Sequence, residues 1–337
     1  MIVDLINNMA ARTPGKEKTK SFRNYIGTIF IFILLANLSG LLGLHSPTAD
    51  YGVTFPLGIF TFYDIFKKVI NKLNIPIAYY WNAIDLIENE NPLYIGRGGN
   101  MGDRAVNFEI QNSDLLINIG SRLSIRQTGY DYKTFATDAK IVMIDIDKEE
   151  FKKPNIKSYK TIWADANKFW FKLNDIIDKE IKNKLFENND WISTCQNWKT
   201  KYKVVDDKKY EQKELVNVYA FIDYLSKNLR ENSITVVSNG ACCVVGSQSF
   251  YIKKGTRFHN NNVIASMGYE LPASTGACTS TNKQETICLE GDGSIMMNLQ
   301  ELQTIITNKL PIKIFLINNK GYHSIRMTQK KYIYRAY

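Results

Sequence analysis

Hydrophobic and polar positions divide the chain into distinct textures. From Tyr25 to Leu44 the sequence reads YIGTIFIFILLANLSGLLGL, twenty residues without a charge. At about 1.5 Å per residue this run is long enough to cross a bilayer core, and it is too long for the core of a signal peptide. Arg12, Lys16, Lys18, Lys20 and Arg23 precede it and would hold the N-terminus on the cytoplasmic side. A buried helix of a soluble domain is the other reading of the same run. Gly52 to Tyr63 is also apolar but too short to span alone; it could complete a hairpin.

From Phe66 onward the pattern changes to short apolar runs separated by helical segments. IPIAYY (Ile75 to Tyr80), DLLINI (Asp114 to Ile119) and KIVMIDI (Lys140 to Ile146) read as strands. Short, wholly apolar strands of this kind predict a parallel sheet covered on both faces. Residues 174–213 are rich in Lys, Asn and Asp and read as helix plus linker. A second unit follows, with strands at Ile234 to Val237, Thr286 to Leu289 and Ile312 to Ile317. The expectation is an α/β chain. A membrane-type helix in residues 1–65 precedes two Rossmann-like parallel-sheet domains, 66–173 and 214–337, the second cut short at its C-terminal side.

Composition narrows the function classes. With 45% hydrophobic and 23% charged residues the chain reads as globular. Lys and Arg number 43 against 33 Asp and Glu, a net charge of +10. The lysines are scattered and form no basic stripe interleaved with aromatics, so a nucleic-acid partner is not expected. The five cysteines form no CxxC pair, which argues against a disulfide framework or a zinc site. Three histidines and the lack of a nucleophile-elbow pattern leave little for a Ser-His-Asp triad.

The chemistry-bearing segment is Thr286 to Asn319. The strand TICL runs into Gly291-Asp292-Gly293-Ser294. A helix follows over MNLQELQTIITN, with Leu299, Leu302, Ile305 and Ile306 on one face, and IKIFLI then ends in Asn318-Asn319. This is one βαβ unit with both polar turns at the carboxyl ends of parallel strands, where ligands bind in open α/β sheets. Gly291 and Gly293 permit a tight turn and a close approach to phosphate. A helix starting near Ser294 would present free N–H groups to an anion. Asp292 offers a carboxylate oxygen and Asn319 an amide oxygen, both suited to Mg²⁺ shared with a diphosphate.

GDGS, twenty-three further residues and then NN at a strand end resembles the thiamine-diphosphate motif of the acetolactate synthase-like enzymes. The resemblance implies Asp292, Asn319 and the Gly321 carbonyl as magnesium ligands, and Gly293 and Ser294 at the diphosphate. ASMGYELPA (Ala265 to Ala273) resembles a second block of the same family. It implies that Met267 is an apolar prop beneath thiamine and that the Ala265 carbonyl accepts from its amino group. By the same match Asn239-Gly240 and Gly246-Ser247-Gln248 lie on a cofactor-side loop. GYHSIRMTQ (Gly321 to Gln329) resembles the carboligating branch. His323 either faces the diphosphate or substrate or is a surface histidine. Ile325 stands where simple decarboxylases carry Glu. WNAIDLI, the Gly96 to Gly102 stretch, NSDLLINIGSRL and MIDIDKEE resemble the central domain of acetolactate synthases, which in some members binds FAD. GRGGNMG is no dinucleotide fingerprint, and FAD stays open.

Ala10 to Phe62 resembles part of ATP synthase subunit a, without that family's proton-relay arginine. The pyrimidine domain of the acetolactate synthase-like enzymes, whose Glu activates thiamine, has no counterpart in the sequence, so no catalytic residue is assigned. Three classes follow. The first is a thiamine enzyme joining 2-oxo acids such as pyruvate, incomplete on its own and paired with itself or an intact homologue. The second is a non-catalytic fused or truncated remnant, and the third is a membrane protein related to subunit a. The expected location is the membrane through residues 25–44, with the remainder cytoplasmic.

Overall fold

The structure, a computed structural model, describes residues 65–180, 190–262 and 264–333. The apolar run at 25–44 lies outside the described residues. Among them, no helix is long and apolar enough to cross a membrane.

Helix α1 (residues 65–73) opens the first domain. Strands β1 (Ile77–Tyr79) and β2 (Tyr94–Arg97) pair in parallel, and α2 (Arg104–Asn112) follows. A separate parallel sheet holds β3 (Leu115–Ile119), β4 (Lys140–Asp145) and β5 (Lys160–Trp163) in the order β3-β4-β5. The expected single sheet is thus two. The apolar runs also mislead about coverage. Among the described residues, Leu115 and Ile117 on one face of β3 are exposed, because an apolar run reads alike whether one or both faces are packed.

Helices α3 (Ala166–Glu180) and α4 (Asp190–Lys201) close the domain. Phe66, Val69 and Ile70 of α1 pack with Tyr94 and with Trp170 and Ile177 of α3. From α4, Cys195 is buried among Ile95, Val106 and Met143. The polar stretch after residue 173 therefore contributes core as well as connection.

The second domain begins with α5 (Val218–Asn228), capped by Asn217, whose side chain accepts from the N–H groups of Tyr219 and Ala220. Then come β6 (Ile234–Val236), α6 (Gly240–Ser249), β7 (Arg257–His259), α7 (Glu270–Ser280) and β8 (Thr286–Gly291). Short α8 (Asp292–Ile295), α9 (Glu301–Thr307), β9 (Ile312–Ile317) and α10 (His323–Tyr332) complete it. All pairings are parallel in the order β7-β6-β8-β9. The chain moves from β6 outward to β7, then crosses back to β8 on the other side. Loops after β6 and β8 therefore diverge, leaving a crevice at their carboxyl ends.

The helix expected from Met297 starts later, at Glu301. Asn298 spends its side-chain amide on the Gly268 carbonyl, 2.6 Å, and the chain turns there instead of coiling. Leu302 and Ile305 face the core while Leu299 and Ile306 are exposed.

Candidate functional site: a cleft at the β6–β8 crevice

An open cleft of about 510 Å³ occupies the crevice. Each strand end delivers a segment to it: Asn239 to Cys242 after β6, Gly291 to Ser294 after β8, and Ile317 and Asn319 at the end of β9. Met267, from the loop before α7, and Tyr322, His323 and Ile325 complete the wall.

Asp292 organises the floor. Its Oδ1 accepts from the Gly293 N–H at 2.9 Å and its Oδ2 from the Gly321 N–H at 2.6 Å. The second bond ties the β8 turn to the loop after β9. That loop carries three consecutive left-handed residues, Lys320 (φ 65), Gly321 (φ 72) and Tyr322 (φ 45), so it folds back on itself. The Asn318 side chain steadies it by accepting from the Lys320 N–H at 3.0 Å. Asn319 Oδ1 is buried and has no hydrogen-bond partner. A lone amide oxygen held out of water is costly unless a ligand satisfies it.

A cation here would have to use mixed oxygen donors. Among the described residues no three His, Cys, Asp or Glu side chains gather as a metal site. The Asp292 carboxylate and the orphaned Asn319 oxygen fit a hard divalent cation that shares phosphate oxygens. Gly293 lets Tyr322 pack closely on the turn: a Cβ there would stand 3.2 Å from the Tyr322 ring.

Ser294 lines the cleft, with its hydroxyl bonded within the protein. It is buried; its Oγ donates to Glu270 Oε2 at 2.9 Å and accepts from the Gly268 N–H at 2.7 Å. Its hydroxyl is spent on the protein rather than left free for phosphate. Ala265 takes a left-handed conformation (φ 54), and its carbonyl accepts from the Asn239 side-chain amide. Ala265 does not itself line the cleft.

His323 is exposed at the start of α10 and lines the cleft, as does Ile325. Asn239 and Gly240 also line it, but Gly246 to Gln248 do not. At about 1.5 Å rise per residue, seven residues of helix carry them roughly 10 Å away. There the Gln248 side chain joins the two domains, donating to the Met101 carbonyl at 2.6 Å and accepting from Tyr219 OH at 2.7 Å.

Two carboxyl groups under the cleft were missed in the sequence. Glu270 and Glu290 are both fully buried. Burial, then the neighbouring Glu270 charge, pushes the Glu290 carboxyl up to about 8. The nearby thiols are neutral: burial pushes Cys243 up to about 11 and Cys288 up to about 12, so neither offers a thiolate nucleophile. The signal was an acid inside an otherwise apolar or small-residue run, TICLEG and ELPASTGACTS.

Comparisons with known proteins cover both α/β domains. Residues 238–337 match the C-terminal TPP binding domain of thiamine pyrophosphate enzymes, and residues 61–173 match their central domain. Residues 1–83 match the ATP synthase A chain. That match overlaps the central domain at residues 61–83, and in the structure Phe66, Val69, Ile70 and Tyr79 pack into the core of the first domain. A probable acetolactate synthase large subunit of Methanococcus aeolicus is 33% identical over 75% of this chain and 43% of its own length. An acetolactate synthase large subunit of Cyanidium caldarium is 30% identical over 80% of this chain and 45% of its own. Isozyme 1 of Escherichia coli is 25% identical over 78% and 45%. The chain thus spans less than half the length of these relatives. Its two α/β domains are similar to the central domain and the C-terminal TPP binding domain of thiamine pyrophosphate enzymes, and to the matching parts of acetolactate synthase large subunits.

Proposed function

We propose that the β6–β8 cleft binds thiamine diphosphate through Mg²⁺ and serves an acetolactate synthase-like joining of two 2-oxo acids such as pyruvate. The observation that carries this reading is the convergence of the Asp292 carboxylate and the unpartnered, buried Asn319 Oδ1 at adjacent strand ends. Asp292, Asn319 and the Gly321 carbonyl would hold the cation. The turn at Gly291 and Gly293 would receive the phosphoryl oxygens. Ser294 supports the reading from behind the turn, through Glu270 and Gly268.

Bound there, thiamine diphosphate would supply the electron sink for decarboxylation of a 2-oxo acid. This chain's residues bind and orient. Met267 would prop the ring system from the apolar side of the wall, and the Ala265 carbonyl would accept from the amino group. Ile325 brings no proton donor to the cleft mouth, which favours joining a second 2-oxo acid over protonation to an aldehyde.

Calorimetric titration of the full chain with thiamine diphosphate, with and without Mg²⁺, tests the binding. Saturable heat that requires Mg²⁺ is expected, and no heat in either condition would overturn the reading. Visible absorbance of the purified chain tests FAD. The match of residues 1–83 to the ATP synthase A chain favours membrane attachment through residues 25–44. Recovery of the chain in the membrane fraction after carbonate washing is the expected result.

A further inference from the structure

Glu270 is the first residue of α7, yet its carboxylate does not serve its own helix. Oε1 accepts from the Asn239 backbone N–H at 3.0 Å, and Oε2 accepts from the Ser294 hydroxyl at 2.9 Å. The same hydroxyl receives the Gly268 N–H at 2.7 Å. Asn239 passes the connection on by donating its side-chain amide to the Ala265 carbonyl, and Ser238 Oγ donates to the Ser266 carbonyl at 2.7 Å. One side chain thus links the loop after β6, the loop that carries Met267, and the turn after β8. These three segments form facing walls of the cleft.

The residue type needs an explanation. Glu270 is fully buried, and a buried carboxylate is a poor way to gain stability, because desolvation offsets much of what its bonds return. An apolar side chain would fill the space at lower cost. What the carboxylate adds is direction: two acceptor oxygens at a set spacing, each holding a donor from a different segment. Gly268 sits where these bonds meet. Its φ of +79° and a would-be Cβ 2.6 Å from Met297 Cβ show how closely the Met267 loop approaches the residues after the turn.

Resting on the thiamine diphosphate reading above, we propose that Glu270 is a positioning residue that sets the diphosphate turn in register with the Met267 loop, so that one cofactor molecule engages both. Magnesium pyrophosphate is the control ligand, since it reaches the turn but not the Met267 wall.

The test compares the two ligands by calorimetry on the full chain and its variants. Glu270→Gln keeps an acceptor for Asn239 and a polar partner for Ser294; its affinity for thiamine diphosphate should stay within about threefold of wild type. Glu270→Leu should lose at least about tenfold for thiamine diphosphate and distinctly less for magnesium pyrophosphate. Ser294→Ala is a small change that keeps the variant comparison open if Glu270→Leu does not fold, and it should narrow the preference in the same direction. An unchanged preference in both Glu270→Leu and Ser294→Ala overturns the proposal. So does an equal loss for the two ligands, or a Glu270→Gln variant as impaired as Glu270→Leu. A wild-type chain that binds neither ligand would instead sink the cofactor reading on which the proposal rests.

Discussion

The Gly321 N–H donates to Asp292 Oδ2 at 2.6 Å, joining two turns that lie 29 residues apart in the chain. Because β8 and β9 are adjacent and in parallel register, both turns emerge at the same sheet edge, and one carboxylate can reach across. Asn319, two residues before Gly321, lines the same cleft as Asp292, and its amide oxygen is buried without a partner.

Asp292→Asn and Asn319→Ala should each weaken binding of thiamine diphosphate with Mg²⁺. Loss of a hydrogen bond or ligand contact to a charged group is worth about 1.5–3 kcal/mol, or roughly 10- to 150-fold in affinity. Calorimetry at a fixed Mg²⁺ concentration measures it. Affinity unchanged in both variants would separate these side chains from the cation.

Gly268→Ala tests the close approach beneath Met267. The backbone is left-handed (φ +79°), and the added Cβ would stand 2.6 Å from Met297 Cβ and 2.9 Å from the Asn298 amide nitrogen. Strain and overpacking together should cost about 1–3 kcal/mol. Urea denaturation followed by circular dichroism reads the loss. A variant as stable as wild type would show that the loop has room to relax.

Glu109 should give the first domain a pH-dependent stability. Its carboxyl is 7% exposed, Oε2 has no partner, and burial pushes its pKa from 4.5 up to about 8. The folded chain therefore retains a proton that the unfolded chain releases. This contribution is intact below about pH 4.5 and is lost as pH rises towards about 8. Glu109→Gln should remove the decline, which is at most about 1.4 kcal/mol per pH unit. Parallel decline of wild type and variant in denaturation series from pH 5 to 8 would contradict it.

Arg97 holds the two domains together. It is 3% exposed, and its guanidinium donates to the Gln248 carbonyl at 2.7 Å and the Phe250 carbonyl at 2.6 Å. Asp103 Oδ2, beside it, accepts from the Arg97 N–H at 2.9 Å. Arg97→Ala leaves the Gln248 and Phe250 carbonyls without their donor, while Asp103 keeps its bond from the residue-97 backbone N–H; the cost is about 1–3 kcal/mol for each unsatisfied group. Differential scanning calorimetry should show a lower and broader transition; an unshifted transition would argue against the strap.

Much of the architecture was legible because the strands that carry the site are short, apolar and followed by polar turns. Ile312 to Ile317 is found at the predicted bounds, and Thr286 to Leu289 extends only to Gly291. Strands β2, β5 and β7 escaped notice. YIGR, KTIW and RFH are too short or too mixed in polarity to show a period. They become strands because neighbours offer them a hydrogen-bonding edge, which no local pattern records.

The sequence by itself determined the βαβ unit with Asp292 and Asn319 at its strand ends, because glycine turns, apolar strands and a Pro311 stop are local physics. Tertiary structure decided the remainder. It turned the Ser294 hydroxyl inward, left Asn319 Oδ1 without a partner, carried Gln248 to the domain junction, and buried Glu270 and Glu290 beneath the cleft. The reason is that a hydrogen bond's partner is set by which segments the sheet order brings together. That order, β7-β6-β8-β9, is a property of the whole packed domain.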